Sequence, residues 1–359
     1  MNVFIRVDAS IAIGTGHVMR CLTLAERLRG KGANVQFICR EHPGHLCSLI
    51  ESMGYQVLKL PAPPKKTIHF SSHKEWLGVS LLTDAKQTKE LVKNEKIDLL
   101  IVDHYGIHAD WESCFRSIAK KIMVIDDLAD RRHDCDFLLD QNDLALELKR
   151  YHGLVPSHCK LFLGPNYALL RNEFFNLLPE KWIRSGHVKR IFIFFGGIDQ
   201  TNETSKAIAA FLDLNRPDIE ADVVIGQSNR YKHEIASLCR LHKNLHFHCE
   251  VRNIAEMMHQ ADLSIGAGGT TTWERLFLGL PSIVISIAAN QEKICENLAK
   301  LKVIKYLGKR EEVNTNRITS QLKKLIENEQ ERVDMSKRAN LMFKDAPLHQ
   351  AKMLNELMS

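Results

Sequence analysis

A chain of 359 residues, 45% hydrophobic and 26% charged, is long enough for roughly two domains and has a core-forming, globular composition. Its 49 basic and 43 acidic residues leave a net charge of only +6, spread along the chain, and aromatics make up 7%. This balance argues against a basic nucleic-acid surface or a stacking platform for single strands, and is compatible with a small anionic ligand. No apolar run nears the roughly 20 residues that cross a bilayer, and the first apolar stretch is too short for a signal peptide. Nine cysteines lie scattered with no Cys-x-x-Cys, a pattern of reduced cytoplasmic thiols rather than a disulfide framework or zinc site.

In chain order, short apolar runs alternate with longer amphipathic ones, which predicts βα units around mostly parallel sheets. The first half carries strand patterns at 3–7, 35–39, 99–102, 122–125 and 137–139, with helical patterns at 17–29, 83–94 and 111–119. A stretch at 176–188 containing Pro179, Trp182 and Gly186 breaks the periodicity and predicts a linker. The pattern then restarts. Strands are expected at 190–195, 222–225, 245–248, 263–265 and 282–286, and helices at 203–214, 230–241, 254–260 and 291–301. From Glu311 onward the chain is helical and charged without a chemical motif, and its last helix, at 348–358, could cap either domain.

Ligands of open α/β sheets bind beyond the carboxyl ends of the strands, so the turns there carry the functional reading. The first strand leads through Asp8-Ala9-Ser10 to Gly14-Thr15-Gly16-His17 at a helix start. Met19 occupies the third glycine position of a dinucleotide fingerprint, and no Lys-Ser/Thr follows in P-loop register. Gly14 and Gly16 let the backbone approach a ligand. The positive end of the helix dipole favours a neutral imidazole at His17, the form a general base needs. Equally, His17 could only pack or cap the turn.

A second strand–turn–helix pattern runs from Ile265 to Glu274. Gly268, Gly269, Thr270 and Thr271 suit a diphosphate at a helix start. Glu274 could accept hydrogen bonds from two ribose hydroxyls, or be an ordinary exposed glutamate. Gly196-Gly197 after the first strand of the second half is a weaker signal of the same kind. Asp103, His104 and Tyr105, with Asp126, Asp127 and Asp130, gather polar groups at strand ends. Asp103, His104, His108, Asp126 and His133 follow no recognised metal-ligand spacing, which favours substrate contacts over a metal. Asp134-Cys135-Asp136 has the Asp-x-Asp form of metal-dependent glycosyltransferases but reads better as a solvated turn.

Taken together, several segments resemble, in order, the family of UDP-2,4-diacetamido-2,4,6-trideoxy-β-L-altropyranose hydrolases, which remove the nucleotide in pseudaminic acid synthesis. They are Asp8-x-Ser10, Gly14-Thr15-Gly16-His17-Val18-Met19-Arg20, Asp103-His104-Tyr105-Gly106, Asp126-Asp127 and Arg171-x-Glu173-Phe174. Gly197-x-Asp199, the Gly/Thr run ending in Glu274, and Asn290-Gln291 continue the match, which runs to about Gly308. The family is itself similar to the GT-B glycosyltransferases.

The resemblance implies an α/β fold, GT-B-like, with two Rossmann-like domains facing a central cleft. They would be residues 1–175 and 189–345, with a C-terminal helix at 346–359. UDP would be held mainly by the second domain, and water would be the acceptor. His17 would be the catalytic base, Glu274 the UDP-binding acid and Arg171 a substrate contact. Asp8, Ser10, Gly14, Gly16, Arg20, His104, Tyr105, Gly197, Gly268, Gly269, Thr270, Thr271, Asn290 and Gln291 would complete the substrate site. UDP leaves readily, so one base replaces the paired carboxylates of ordinary glycosidases, with inversion and without metal or cofactor.

The expected protein is thus a cytoplasmic monomer that takes a small-molecule UDP-sugar and has no nucleic-acid or membrane partner. One rival is a GT-B glycosyltransferase using the same fold, which would need an acceptor surface; the N-terminal half shows no obvious apolar amphipathic patch. The other is a regulatory protein that binds a nucleotide sugar without consuming it.

Overall fold

In the computed structural model, which describes residues 1–64, 72–142, 148–177, 183–251 and 253–359, the apolar runs become strands of two all-parallel sheets. The first sheet holds β1 (Asn2–Val7), β2 (Asn34–Arg40), β3 (Gln56–Leu60), β4 (Ile97–Asp103), β5 (Ala119–Ile125), β6 (Phe137–Asp140) and β7 (Lys160–Leu163). Their spatial order is β3-β2-β1-β4-β5-β6-β7. The second holds β8 (Arg190–Phe194), β9 (Glu220–Ile225), β10 (Leu245–Cys249), β11 (Leu263–Ala267), β12 (Ser282–Ser286) and β13 (Lys305–Lys309), ordered β10-β9-β8-β11-β12-β13. Both are Rossmann-like. The order reverses between β1 and β4 in one sheet and between β8 and β11 in the other, and those crevices are where such sheets bind ligands.

The chain divides into two compact units, Met1–Leu169 with Asp345–Ser359, and Leu170–Lys344. Pro179 and Trp182 of the predicted linker lie outside the described residues. The last helix, Ala346–Met358, packs on the first unit: Met353, Leu354 and Leu357 enter its core, and Gln350 donates to the Ala168 carbonyl at 2.7 Å.

Strands covered on both faces carry apolar side chains at consecutive positions. In β1, Val3, Ile5 and Val7 enter one cluster and Phe4 the opposite one. Arg6 interrupts that run yet is fully buried, because acids surround it: it donates to Asp8 at 2.6 Å and to Asp84 at 2.8 Å. Asp84 also accepts from Arg40 at 2.7 Å and from the Trp111 indole at 3.0 Å. Burial opposes the charge on both carboxylates, but Arg6 overrides it and holds them below the usual range. Replacing Asp84 by alanine removes the carboxylate shared by two buried guanidinium groups, leaving Arg6 with Asp8 alone and Arg40 with neutral acceptors, and the expected loss is about 3–5 kcal/mol in a urea unfolding experiment. A change below about 1 kcal/mol would show that the network does not hold this unit together.

Three strands were not distinguished by the hydrophobic pattern: β3, β7 and β13, all at sheet edges where polar and apolar residues mix. The expected helix at 111–119 is shorter, spanning Ala109–Ser113. Ala119 instead pairs with Ile97 as the start of β5, so sheet pairing overrides the local helical period.

Candidate active site

The turn after β1 is built by Ser10. Its hydroxyl accepts from the Ala12 and Ile13 amides at 3.2 and 2.9 Å, and its carbonyl accepts from the Gly14 amide at 2.9 Å. Gly14 has φ +84°, a conformation that strains any residue with a Cβ. The helix Gly16–Gly30 begins directly afterwards, placing His17 in its first turn and Arg20 one turn on.

Across the crevice, Val7 pairs in register with Asp103, the last residue of β4. This register brings the β4 carboxylate to the helix start. His17 Nδ1 lies 2.6 Å from Asp103 Oδ1. Arg20 holds the same carboxylate with two bonds of 2.6 Å, from Nε to Oδ2 and from Nη2 to Oδ1. Burial opposes the charge on Asp103, yet Arg20 and then His17 hold it well below the usual carboxylate range. An ionised carboxylate only accepts, so the short bond places the proton on Nδ1. The Arg20 Nη2 contact with Nδ1, at 3.1 Å, is then a packing contact between two donors that share Asp103. Nε2 of His17 has no hydrogen-bond partner among the described residues.

Aromatic rings frame this imidazole. Tyr105 meets it edge-on at 4.6 Å between centroids and Trp76 at 5.8 Å, and the two stack on each other at 5.3 Å. The Tyr105 hydroxyl donates to Asp127, which also accepts from Arg20 at 3.0 Å. Burial, reinforced by Asp127, pushes the phenol well above its ordinary range, so it stays a neutral donor. Asp8 and His104 sit deeper. The Asp8 carboxylate is taken up by Arg6 and by the Arg40 amide at 2.7 Å, with His104 Nε2 at 3.3 Å and His42 Nε2 at 3.6 Å. Burial lowers His104 and favours its neutral form.

The second unit carries its own constellation at the β8/β11 crevice. Gly268 lies so close to Cys295 that a Cβ there would fall 2.3 Å from the sulfur. Gln291 packs against Gly268 and Gly269, and its side-chain Oε1 accepts from the Ile287 amide at 3.0 Å, while Asn290 is exposed. Thr270 precedes, and Thr271 opens, the helix Thr271–Phe277. Glu274 in that helix accepts from Arg171 Nε and Nη2 at 3.2 and 2.9 Å, so two residues predicted separately are brought together. Gly197 lies in the loop just beyond β8, and a Cβ on Gly226 would fall 2.3 Å from its carbonyl oxygen. Asp199 turns inward, accepting from the Glu203 and Thr204 amides at 3.0 and 2.9 Å to cap the next helix.

Among the described residues, no group of three or more His, Cys, Asp or Glu side chains is placed to hold a metal ion. Asp134 and Asp136 are both paired with Arg116, at 2.7 and 2.6 Å. Sequence reasoning did not anticipate Trp76, whose approach to His17 no local spacing signals. It placed Asp103 at a strand end without its partner. Among the described residues, no helix is long and apolar enough to cross a membrane.

Residues 190–350 match the glycosyltransferase family 28 C-terminal domain. An uncharacterized protein of Methanocaldococcus jannaschii is 29% identical over 79% of this chain, which spans only 55% of that relative. UGT71G1 of Medicago truncatula, solved in complex with UDP-glucose, superposes with a TM-score of 0.68 at 14% identity, covering 100% of this chain and 98% of that one. The solved structures this chain resembles are GT-B glycosyltransferases, and its two Rossmann-like halves are of that fold. The UDP-2,4-diacetamido-2,4,6-trideoxy-beta-L-altropyranose hydrolase of Campylobacter jejuni is 31% identical over 84% of this chain and 97% of its own length. At that identity and coverage, the chain belongs to the same family as this hydrolase.

Proposed function

We propose that this nucleotide-sugar enzyme hydrolyses a UDP-linked 2,4-diacetamido-2,4,6-trideoxy sugar, the β-L-altropyranose of pseudaminic acid synthesis, to UDP and the free sugar. The observation that carries the reading is the His17–Asp103 pair at 2.6 Å, which orients an imidazole with Nε2 left to accept a proton. Water attacks the anomeric carbon, Nε2 takes its proton, and the bond to the UDP oxygen breaks with its electron pair leaving on the diphosphate. One displacement inverts the anomeric configuration.

Asp103 fixes the tautomer and balances the imidazolium formed during attack, as the acid does in a hydrolytic triad. The Gly268–Thr271 turn receives the diphosphate, and Glu274 the ribose hydroxyls. Tyr105 and Trp76 present ring edges and faces suited to the apolar side of a deoxy sugar. Ser10 and Gly14 hold the loop that carries His17 in register, and Asp8 and His104 support it from below.

The family 28 match and the GT-B fold favour one second reading, transfer of the sugar to an acceptor. A single assay separates the two. Incubated with UDP-diacetamido sugar and no acceptor, the protein is expected to release UDP and free sugar in equal amounts. Early proton NMR spectra should show the inverted anomer first. UDP release that requires an added sugar or lipid acceptor would identify a transferase instead.

A further inference from the structure

Arg275 is fully buried beneath the Gly/Thr turn, on the helix Thr271–Phe277. Its Nη2 donates to the Ala267 carbonyl at 2.8 Å and to the Thr272 hydroxyl at 3.0 Å. Its Nε and Nη1 are buried and have no hydrogen-bond partner among the described residues. The adjacent carboxylate, Glu274, is engaged by Arg171. Burial pushes the neighbouring Cys295 thiol up to about 12, so it supplies no negative charge near neutrality. Burial lowers Arg275 itself only to about 10, which leaves it protonated.

Other buried arginines have their charge answered. Arg6, Arg20 and Arg40 pair with carboxylates. Arg184 donates to the Met258 and His259 carbonyls, and Arg332 to those of Leu325 and Ile326, at helix C-termini where the dipole is negative. Arg275 runs back toward the beginning of its own helix, the positive end. Its guanidinium lies against the end of β11, where a Cβ on Gly266 would fall 2.3 Å from Nη1 and 2.3 Å from the Phe194 carbonyl of β8. A buried charge without a bonded counter-ion is strongly destabilising, and the only carboxylate among the described residues that acts on this one, Glu274, does so through space while bonded to Arg171, so the site favours a further negative charge.

We propose that Arg275 is a positioning residue whose fixed positive charge, set under the Gly268–Thr271 turn, selects ligands carrying a dianionic diphosphate. The inference rests on the UDP-sugar reading and adds to it the origin of the preference for diphosphate. The turn contributes contacts; the arginine contributes charge without touching the ligand, shielded from the solvent and salt that screen surface lysines.

Calorimetric titration of the full chain with uridine, UMP and UDP tests this. Arg275→Gln is expected to weaken UDP by about tenfold or more, UMP less, and uridine by no more than about twofold. Arg275→Lys, which keeps the charge but not the fork, should hold the UDP-to-uridine affinity ratio near wild type while its thermal midpoint falls. Equal weakening of uridine and UDP in Arg275→Gln would make the residue a clamp of the turn and overturn the proposal. So would unchanged UDP affinity. Should that variant not fold, Arg275→Lys decides: a preserved ratio supports the charge, and a tenfold drop in it refutes it. A wild-type chain that binds no UDP would bring down the UDP-sugar reading and this inference together, whereas UDP binding indifferent to Arg275 overturns only the latter.

Discussion

Replacing His17 by alanine is expected to slow UDP release by about 100- to 10,000-fold while leaving UDP affinity within about threefold of wild type. The magnitude is that of a lost general base. The split between rate and binding follows from the fold, since His17 stands at the β1/β4 crevice of the first unit, and the Gly/Thr turn belongs to the second. Stopped assays of UDP formation and calorimetric UDP titration on the same preparation give both numbers. Near wild-type turnover in His17→Ala would remove His17 as the base. Loss of UDP affinity in step with turnover would instead make it a binding residue.

Asp103→Asn should cost on the order of 1,000- to 10,000-fold in kcat, with KM nearly unchanged. Asparagine can occupy the site, but its amide can donate to Nδ1 and so stabilise the tautomer that already carries a proton on Nε2. The variant also leaves the buried Arg20 partly unanswered, so some stability is lost as well. A purely structural Asp103 would lower the thermal midpoint and spare kcat in the folded fraction; that outcome would end the orienting role.

The pH dependence has a definite sign. Asp103 titrates below the unfolded carboxylate value of about 3.9, so its contribution to stability is fully present above that value and is lost as pH falls through the folded one. The stability gap between wild type and Asp103→Asn should therefore narrow on acidification below about pH 4.

Central strands were legible because burial on both faces writes them as unbroken apolar runs, as in Val3-Phe4-Ile5 and Ile283-Val284-Ile285. The edge strands β3 and β13 were not, since half their side chains meet solvent and the polar residues there imitate loop. Motifs at strand ends were readable from glycine and histidine content. The relations among them were not. Asp103 is 86 residues from His17, and only the pairing of Val7 with Asp103 makes them neighbours. Arg171 and Glu274 are 103 residues apart, and their ion pair depends on the tertiary fold of the second unit. Asp199, part of a family-like motif, serves as a helix cap, a role its spacing to Thr204 permits but does not distinguish from ligand contact.

The helix Ala346–Met358 sets the order in which the molecule can mature. It completes the first unit, yet the whole of Leu170–Lys344 is synthesised before it. On the ribosome the second unit can close while the first still lacks Met353, Leu354 and Leu357 from its core. The unit that starts first therefore finishes last. The time its uncovered core side chains are exposed to aggregation is set by translation of the other unit rather than by its own folding rate.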